Sequence, residues 1–227
     1  MDWRRWENIC QRDGEFAPLR VTATLSAPLA GPTPYVHLDA LLAWAAIHIA
    51  PHPAAHRPFA PTSASRDITD VPIPVARDES GVWCCSALWV PDDTPRGQVA
   101  WSQRPTVEHM HLLAAKQVAV THGPTRARRE HLTVWAAATM TAHLVGHPDW
   151  IPRLLDHIPS VGKKRSQGYG VVRAWRVEPA GEPDAWRGWG GMVRRPLPDP
   201  AGRMMGIRPP YWYRPWWEPA VAPGEAL

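Results

Sequence analysis

The chain has 227 residues, of which 44% are hydrophobic, and a formal net charge of +4. That length suits one large domain or two small ones, and the charge suits a polyanionic partner without dictating a fold. Three cysteines make neither a disulfide framework nor a CxxC metal knuckle, Met1 to Glu7 lack the apolar run and small-residue cleavage site expected of a secretory signal, and the longest apolar stretch, Leu38 to Ala50, is too short to span a bilayer. A reducing cytoplasm and no membrane contact are expected. Arginine dominates the basic residues, with Lys116, Lys163 and Lys164 the only lysines, and 14 Trp and 27 Pro complete the skew. Arg, Pro, Ala and Gly codons are GC-rich, so a GC-rich genome would produce part of this skew, and it carries no functional weight.

Residues 1–18 mix Trp3, Trp6 and Phe16 with charge and read as an appendage. Leu19, Val21, Ala23 and Leu25 then alternate with polar residues, which predicts a half-buried strand. After the turn at Gly31, Pro32 and Pro34, the residues Leu38, Leu41, Leu42, Ala45 and Ile49 recur at helical spacing up to Pro51. Strand, loop and helix in that order open a split βαβ unit. The proline density from Pro51 to Pro74 forbids regular structure. His48, His52 and His56 have ligand-like spacing, but Pro51 and Pro53 break the helix that would align them, so no metal is expected.

Val82 to Val90 is an apolar run bounded by Gly81 and Pro91, a candidate central strand on which the adjacent Cys84 and Cys85 point to opposite faces. A hairpin is expected near 116–145, with one arm at Lys116 to Thr121 and the other alternating from Leu132 to Leu144. Its tip carries Arg126, Arg128 and Arg129, either a solvated basic turn or a thumb that reaches RNA. A second helix follows, with Asp149 as its cap, Ile151, Leu154, Leu155 and Ile158 as its apolar face, and Pro159 as its stop.

Behind that helix stands Gly162-Lys163-Lys164-Arg165-Ser166-Gln167-Gly168-Tyr169-Gly170, feeding a strand from Val171 to Val177. Three glycines permit positive φ and close backbone approach, while three consecutive cations with Ser166 and Gln167 supply donors suited to phosphates. Neither a P-loop nor a dinucleotide fingerprint fits, because the loop follows a helix and precedes a strand. Residues 179–227 form a Trp/Pro/Arg-rich extension with little periodicity, in which Gly190-Gly191 reads as a hinge. Its tryptophans and arginines cover either the protein's own core or a neighbour.

The helix, the loop Val161 to Val172 and the strand after it resemble the glycine-rich loop of the repeat-associated (RAMP) proteins of CRISPR systems. Within them the chain is similar to the Cas5-like subunit of type IV effector complexes. The stretches His37-Leu38-Asp39-Ala40-Leu41-Leu42-Ala43, Asp70-Val71-Pro72-Ile73-Pro74-Val75 and Arg208-Pro209-Pro210-Tyr211-Trp212 support that choice. The resemblance implies an α+β, ferredoxin-like (RRM-like) domain over 19–178. It also implies binding of the guide RNA (crRNA) at its 5′ handle and contact with the Cas7-like backbone subunit, with target DNA as a further candidate partner.

On this reading Lys163, Lys164 and Arg165 contact phosphates, while Gly162, Gly168 and Gly170 let main-chain amides approach. Ser166, Gln167 and Tyr169 add polar or stacking contacts to bases. Arg126, Arg128 and Arg129 form a second contact, and Arg66, Trp101 and Arg104 a third. His37, His109, His111, His122, His131 and His157 are candidate surface residues, but sequence derives no acid-base pair among them, and no catalytic residue or cofactor is assigned. A Cas6-like endoribonuclease and a scaffold that never touches RNA are the alternatives.

Overall fold

The computed structural model describes residues 1–11, 15–50, 71–103 and 128–226. In chain order these form α1 (Trp3–Cys10), β1 (Ala17–Leu25), β2 (Leu29–Ala30), β3 (Tyr35–His37), α2 (Leu38–Ile49) and β4 (Ala87–Trp89). There follow β5 (Arg96–Gln103), β6 (Arg128–Trp135), β7 (Thr139–Gly146), α3 (Trp150–Leu155) and β8 (Val172–Pro179). The C-terminal part contributes β9 (Gly188–Trp189), β10 (Met192–Val193), β11 (Leu197–Gly206) and β12 (Trp217–Val221). Together they make a mixed α/β structure with three α-helices and several antiparallel sheets. No helix among the described residues is long and apolar enough to cross a membrane.

The main sheet has five strands in the order β3-β4-β7-β1-β8. β1 pairs antiparallel with β7 from Ala17↔Gly146 to Thr24↔Thr139, and with β8 from Leu19↔Pro179 to Leu25↔Val172. The alternation in β1 sets the layers: Leu19, Val21, Ala23 and Leu25 are buried in one apolar cluster with Met140, Ala142 and Leu144 of β7. Leu38, Leu42, Ala45 and Ala46 of α2 and Ile151, Leu154 and Leu155 of α3 complete that cluster. The appendage joins it as well, since α1 buries Trp6, whose indole N–H donates to the Pro72 carbonyl at 2.9 Å and whose ring meets Trp150 edge-on.

Several elements depart from the sequence expectations, each for a local reason. Val82 to Val90 is buried throughout but gives only three ladder residues, with further bridges at Trp83 and Cys85. Its side chains serve two cores: Cys85 belongs to the main cluster, and Cys84 belongs to a second one with Val82, Trp186, Ile207 and Ala220. The arm from Leu132 to Leu144 is two strands, because the chain leaves β6 for β7 at residues 136–138. There the Ala136 amide donates to Pro95 and the Ala138 carbonyl accepts from Leu25. β6 lies between two partners, β2, paired at Leu29↔Trp135 and Ala30↔Val134, and β5, paired from Arg96↔Trp135 to Gln103↔Arg128, while the arm expected at 116–121 lies outside the described residues. α3 ends at Leu155, and Asp149 makes no side-chain cap; the His147 carbonyl accepts from Trp150 and Ile151 instead.

The C-terminal extension is more regular than its prolines suggest. β11 and β12 pair over much of their length, with a register shift between Pro198 and Arg203 that accommodates residues lacking an amide donor. Gly190 and Gly191 are a tight turn rather than a hinge, because both adopt positive φ, at 62° and 72°, between the paired β9 and β10.

Candidate nucleic-acid interface

The glycine-rich loop closes on itself and then docks. Ser160 and Val171 bridge, the Val161 amide donates to the Gly170 carbonyl at 2.8 Å, and the Val172 amide donates to Pro159 at 2.9 Å. The closed loop hangs on β2 and on the residue just before it. Gly170 donates to the Pro28 carbonyl at 2.9 Å and Lys163 to the Ala30 carbonyl at 2.7 Å. Two glycines are required by this fit: a Cβ on Gly170 would lie 1.9 Å from the Val161 oxygen, and one on Gly162 would lie 2.7 Å from the Ala30 oxygen. Both also have positive φ. Gly168 has positive φ but open space where its Cβ would be, so conformation alone selects it.

Between the glycines a single 3₁₀ turn, Arg165–Gln167, turns the side chains outward. Lys163, Arg165, Ser166 and Gln167 are exposed, while Tyr169 is partly buried. Lys164 is different. It is left-handed at φ 56°, the one such non-glycine residue among the described residues, a conformation that costs roughly 1–2 kcal/mol. Its side chain crosses to the β5–β6 hairpin, where the ammonium lies 5.0 Å from the centre of the Trp101 ring and 3.9 Å from the Glu130 carboxylate.

Thus two groups of residues singled out from sequence, the glycine loop and Trp101, occupy one surface. Arg129 is exposed on β6 next to Glu130 and so points to the opposite face of the hairpin, and Arg128 stands opposite Gln103 at the end of the ladder. Arg66, Arg104 and Arg126 lie outside the described residues, as do His109, His111 and His122. His131 and His157 are exposed. His37 is not a free surface residue: it stacks on Tyr211 at 3.6 Å, and burial together with the Arg195 charge depresses its pKa to about 3.

That stack belongs to a buried polar knot not legible in the sequence. Asp39, in the first turn of α2, accepts from the Tyr211 hydroxyl at 2.7 Å and faces the Arg195 guanidinium at 3.8 Å. Arg195 also donates to the carbonyls of Trp83, Cys85 and Ile207. Burial lifts the Asp39 carboxyl above its ordinary range, against the opposing pull of Arg195 and Tyr211. Burial likewise raises Tyr211, with the Asp39 charge adding to it. Next to the knot, Arg194 forms a two-pronged pair with Asp92 at 3.1 and 3.2 Å, and its guanidinium lies 4.7 Å from the centre of the Trp89 ring and 4.6 Å from that of Trp189. The stretches around His37-Leu38-Asp39 and Pro210-Tyr211 therefore meet in space, and their chemistry fastens the extension to the main sheet instead of offering a reactive group to solvent.

One family model, described as CRISPR type IV associated protein Csf3, matches residues 17–223. Comparison with curated proteins finds no match.

Proposed function

Because this chain belongs to the Csf3 family of type IV CRISPR-associated proteins, matched from residue 17 to residue 223, we propose that it is the subunit that grips the 5′ handle of the guide RNA. The observation that carries this reading is the glycine loop, held rigidly by its docking on residues 28–30 while Lys163, Arg165, Ser166 and Gln167 stay exposed. Cations position a phosphate backbone and short polar side chains reach single-stranded bases. Lys164, Tyr169 and Trp101 extend the contact, with the close-packed Gly162 and Gly170 and the open Gly168 setting the shape of the loop. Arg129 with Arg126 and Arg128 would meet the strand beyond the hairpin, and Arg66 and Arg104 would add to the charge.

We read the main sheet as a ferredoxin-like unit. β1, α2, β4, β7, α3 and β8 follow in β-α-β-β-α-β order, with β1 flanked by β7 and β8, which supports the RAMP assignment. In the effector complex the chain would cap a Cas7-like backbone filament in the cytoplasm, and its role would be binding, with guide processing left to another subunit. The extension offers a surface for neighbours: Trp212 is 69% exposed and Met204 58% exposed, and tryptophan is enriched at binding hot spots.

The test is to purify the chain from cells that co-express its neighbouring genes and to sequence the RNA that accompanies it. RNAs sharing one 5′ end at a repeat boundary are expected. Bound RNA with scattered ends contradicts a handle-binding role, and a complex that assembles without RNA contradicts the RNA-binding reading as a whole.

A further inference from the structure

The hairpin beside the glycine loop carries a carboxylate, and a carboxylate is an unusual companion for three cations meant to hold phosphates. Glu130 is 52% exposed, so burial does not force it into a structural role. It is the cross-strand partner of Trp101, which puts an aromatic ring and a carboxylate side by side on the face of the hairpin that Lys164 approaches. The Lys164 ammonium lies near both groups, 5.0 Å from the ring centre and 3.9 Å from the carboxylate oxygen, and so occupies the spot where a flat group with hydrogen-bond donors would sit.

We propose that Trp101 and Glu130 form a base-reading pocket selective for guanine in the RNA strand whose phosphates the glycine loop holds. The inference rests on the RNA-binding reading above and adds to it a specificity. Among RNA bases only guanine presents two adjacent donors, N1–H and the N2 amine, on its pairing edge, and they match the two acceptor oxygens of one carboxylate. Adenine and cytosine present one donor beside a ring nitrogen that accepts, and uracil presents one donor between two carbonyls. Either arrangement sets a lone pair against Glu130. Stacking on Trp101 favours any base, so the ring supplies affinity and the carboxylate supplies choice. When guanine enters, Lys164 leaves the ring for the adjacent phosphate, which gives its left-handed backbone a use: it aims a long cation at a place shared between the hairpin and the strand.

The experiment compares binding of the full chain to fluorescent single-stranded octamers of alternating U and G, U and A, U and C, and U and inosine, by anisotropy at one salt concentration. The G-containing strand is expected to bind roughly tenfold more tightly than the A- and C-containing strands, with inosine, which lacks the N2 amine, in between. Glu130→Gln should erase that preference, with the general gain from losing a negative charge falling on all four strands alike, and Trp101→Ala should weaken all four together. Equal affinities in the parent, or a guanine preference that survives Glu130→Gln, would overturn the pocket and leave the RNA-binding reading intact. A parent chain that binds none of the four would overturn both.

Discussion

Replacing Arg195 with methionine removes the guanidinium at the centre of the buried knot while keeping an apolar stem of similar length. Arg195 and Asp39 are 0% and 1% exposed, so neither has solvent to fall back on. The substitution strips a partner from the Asp39 carboxylate and leaves the carbonyls of Trp83, Cys85 and Ile207 without this donor. Breaking a buried ion pair from one side costs about 3–5 kcal/mol, a large share of the roughly 5–15 kcal/mol that stabilises a typical domain. Tyr211→Phe removes a single donor to the same carboxylate and should cost less, about 1.5–3 kcal/mol. Urea denaturation of the full chain, followed by tryptophan fluorescence, measures both. Limited proteolysis should in addition show cleavage beyond Gly190 at lower protease in Arg195→Met than in the parent, because the knot fastens the extension. An Arg195→Met cost below about 1 kcal/mol, or a Tyr211→Phe cost above that of Arg195→Met, would refute the knot as the fastening.

Two further outcomes follow from the same geometry. Gly170→Ala should open the loop, since its Cβ would overlap the Val161 oxygen, whereas Gly168→Ala meets open space and carries only the left-handed penalty of roughly 1–2 kcal/mol; thermal melts and RNA affinity should rank the two variants in that order. His37 has its pKa depressed to about 3 against an ordinary value near 6.5, so between those limits the unfolded chain binds a proton that the folded one refuses. Stability from this residue is therefore complete above about pH 6.5 and falls as the pH drops, by up to about 1.4 kcal/mol per unit, and His37→Gln should flatten that part of the urea-midpoint profile.

The local parts of the fold were legible where one period served one core. β1 and α2 show their buried faces as plain alternation and helical spacing, and the adjacent Cys84 and Cys85 do point into different clusters. The break between β6 and β7 was hidden because Leu132, Val134, Met140, Ala142 and Leu144 are all even-numbered apolar residues, so the alternation in the sequence runs across it unchanged. Arg194-Arg195 stands in the sequence as one more basic pair in a proline-rich tail. Burying a guanidinium needs carbonyls from the segment before β4 and from Ile207 just after β11, and a carboxylate from α2, and no local pattern announces such a meeting. Within the candidate site, the glycines and cations of the loop stood out by composition. Glu130 did not, because its meaning comes from a cross-strand partner, Trp101, and from the reach of Lys164.

The most direct test of the account is the salt dependence of single-stranded RNA binding by the parent and by the variant Lys163→Ala, Lys164→Ala, Arg165→Ala. If the three cations hold phosphates, the slope of log affinity against log salt falls by roughly two units, at ~0.7 for each phosphate no longer neutralised, alongside weaker binding at every salt concentration. A parent that binds RNA with a slope the triple substitution leaves unchanged would show that the strand lies elsewhere on the protein, and would contradict the account at its centre.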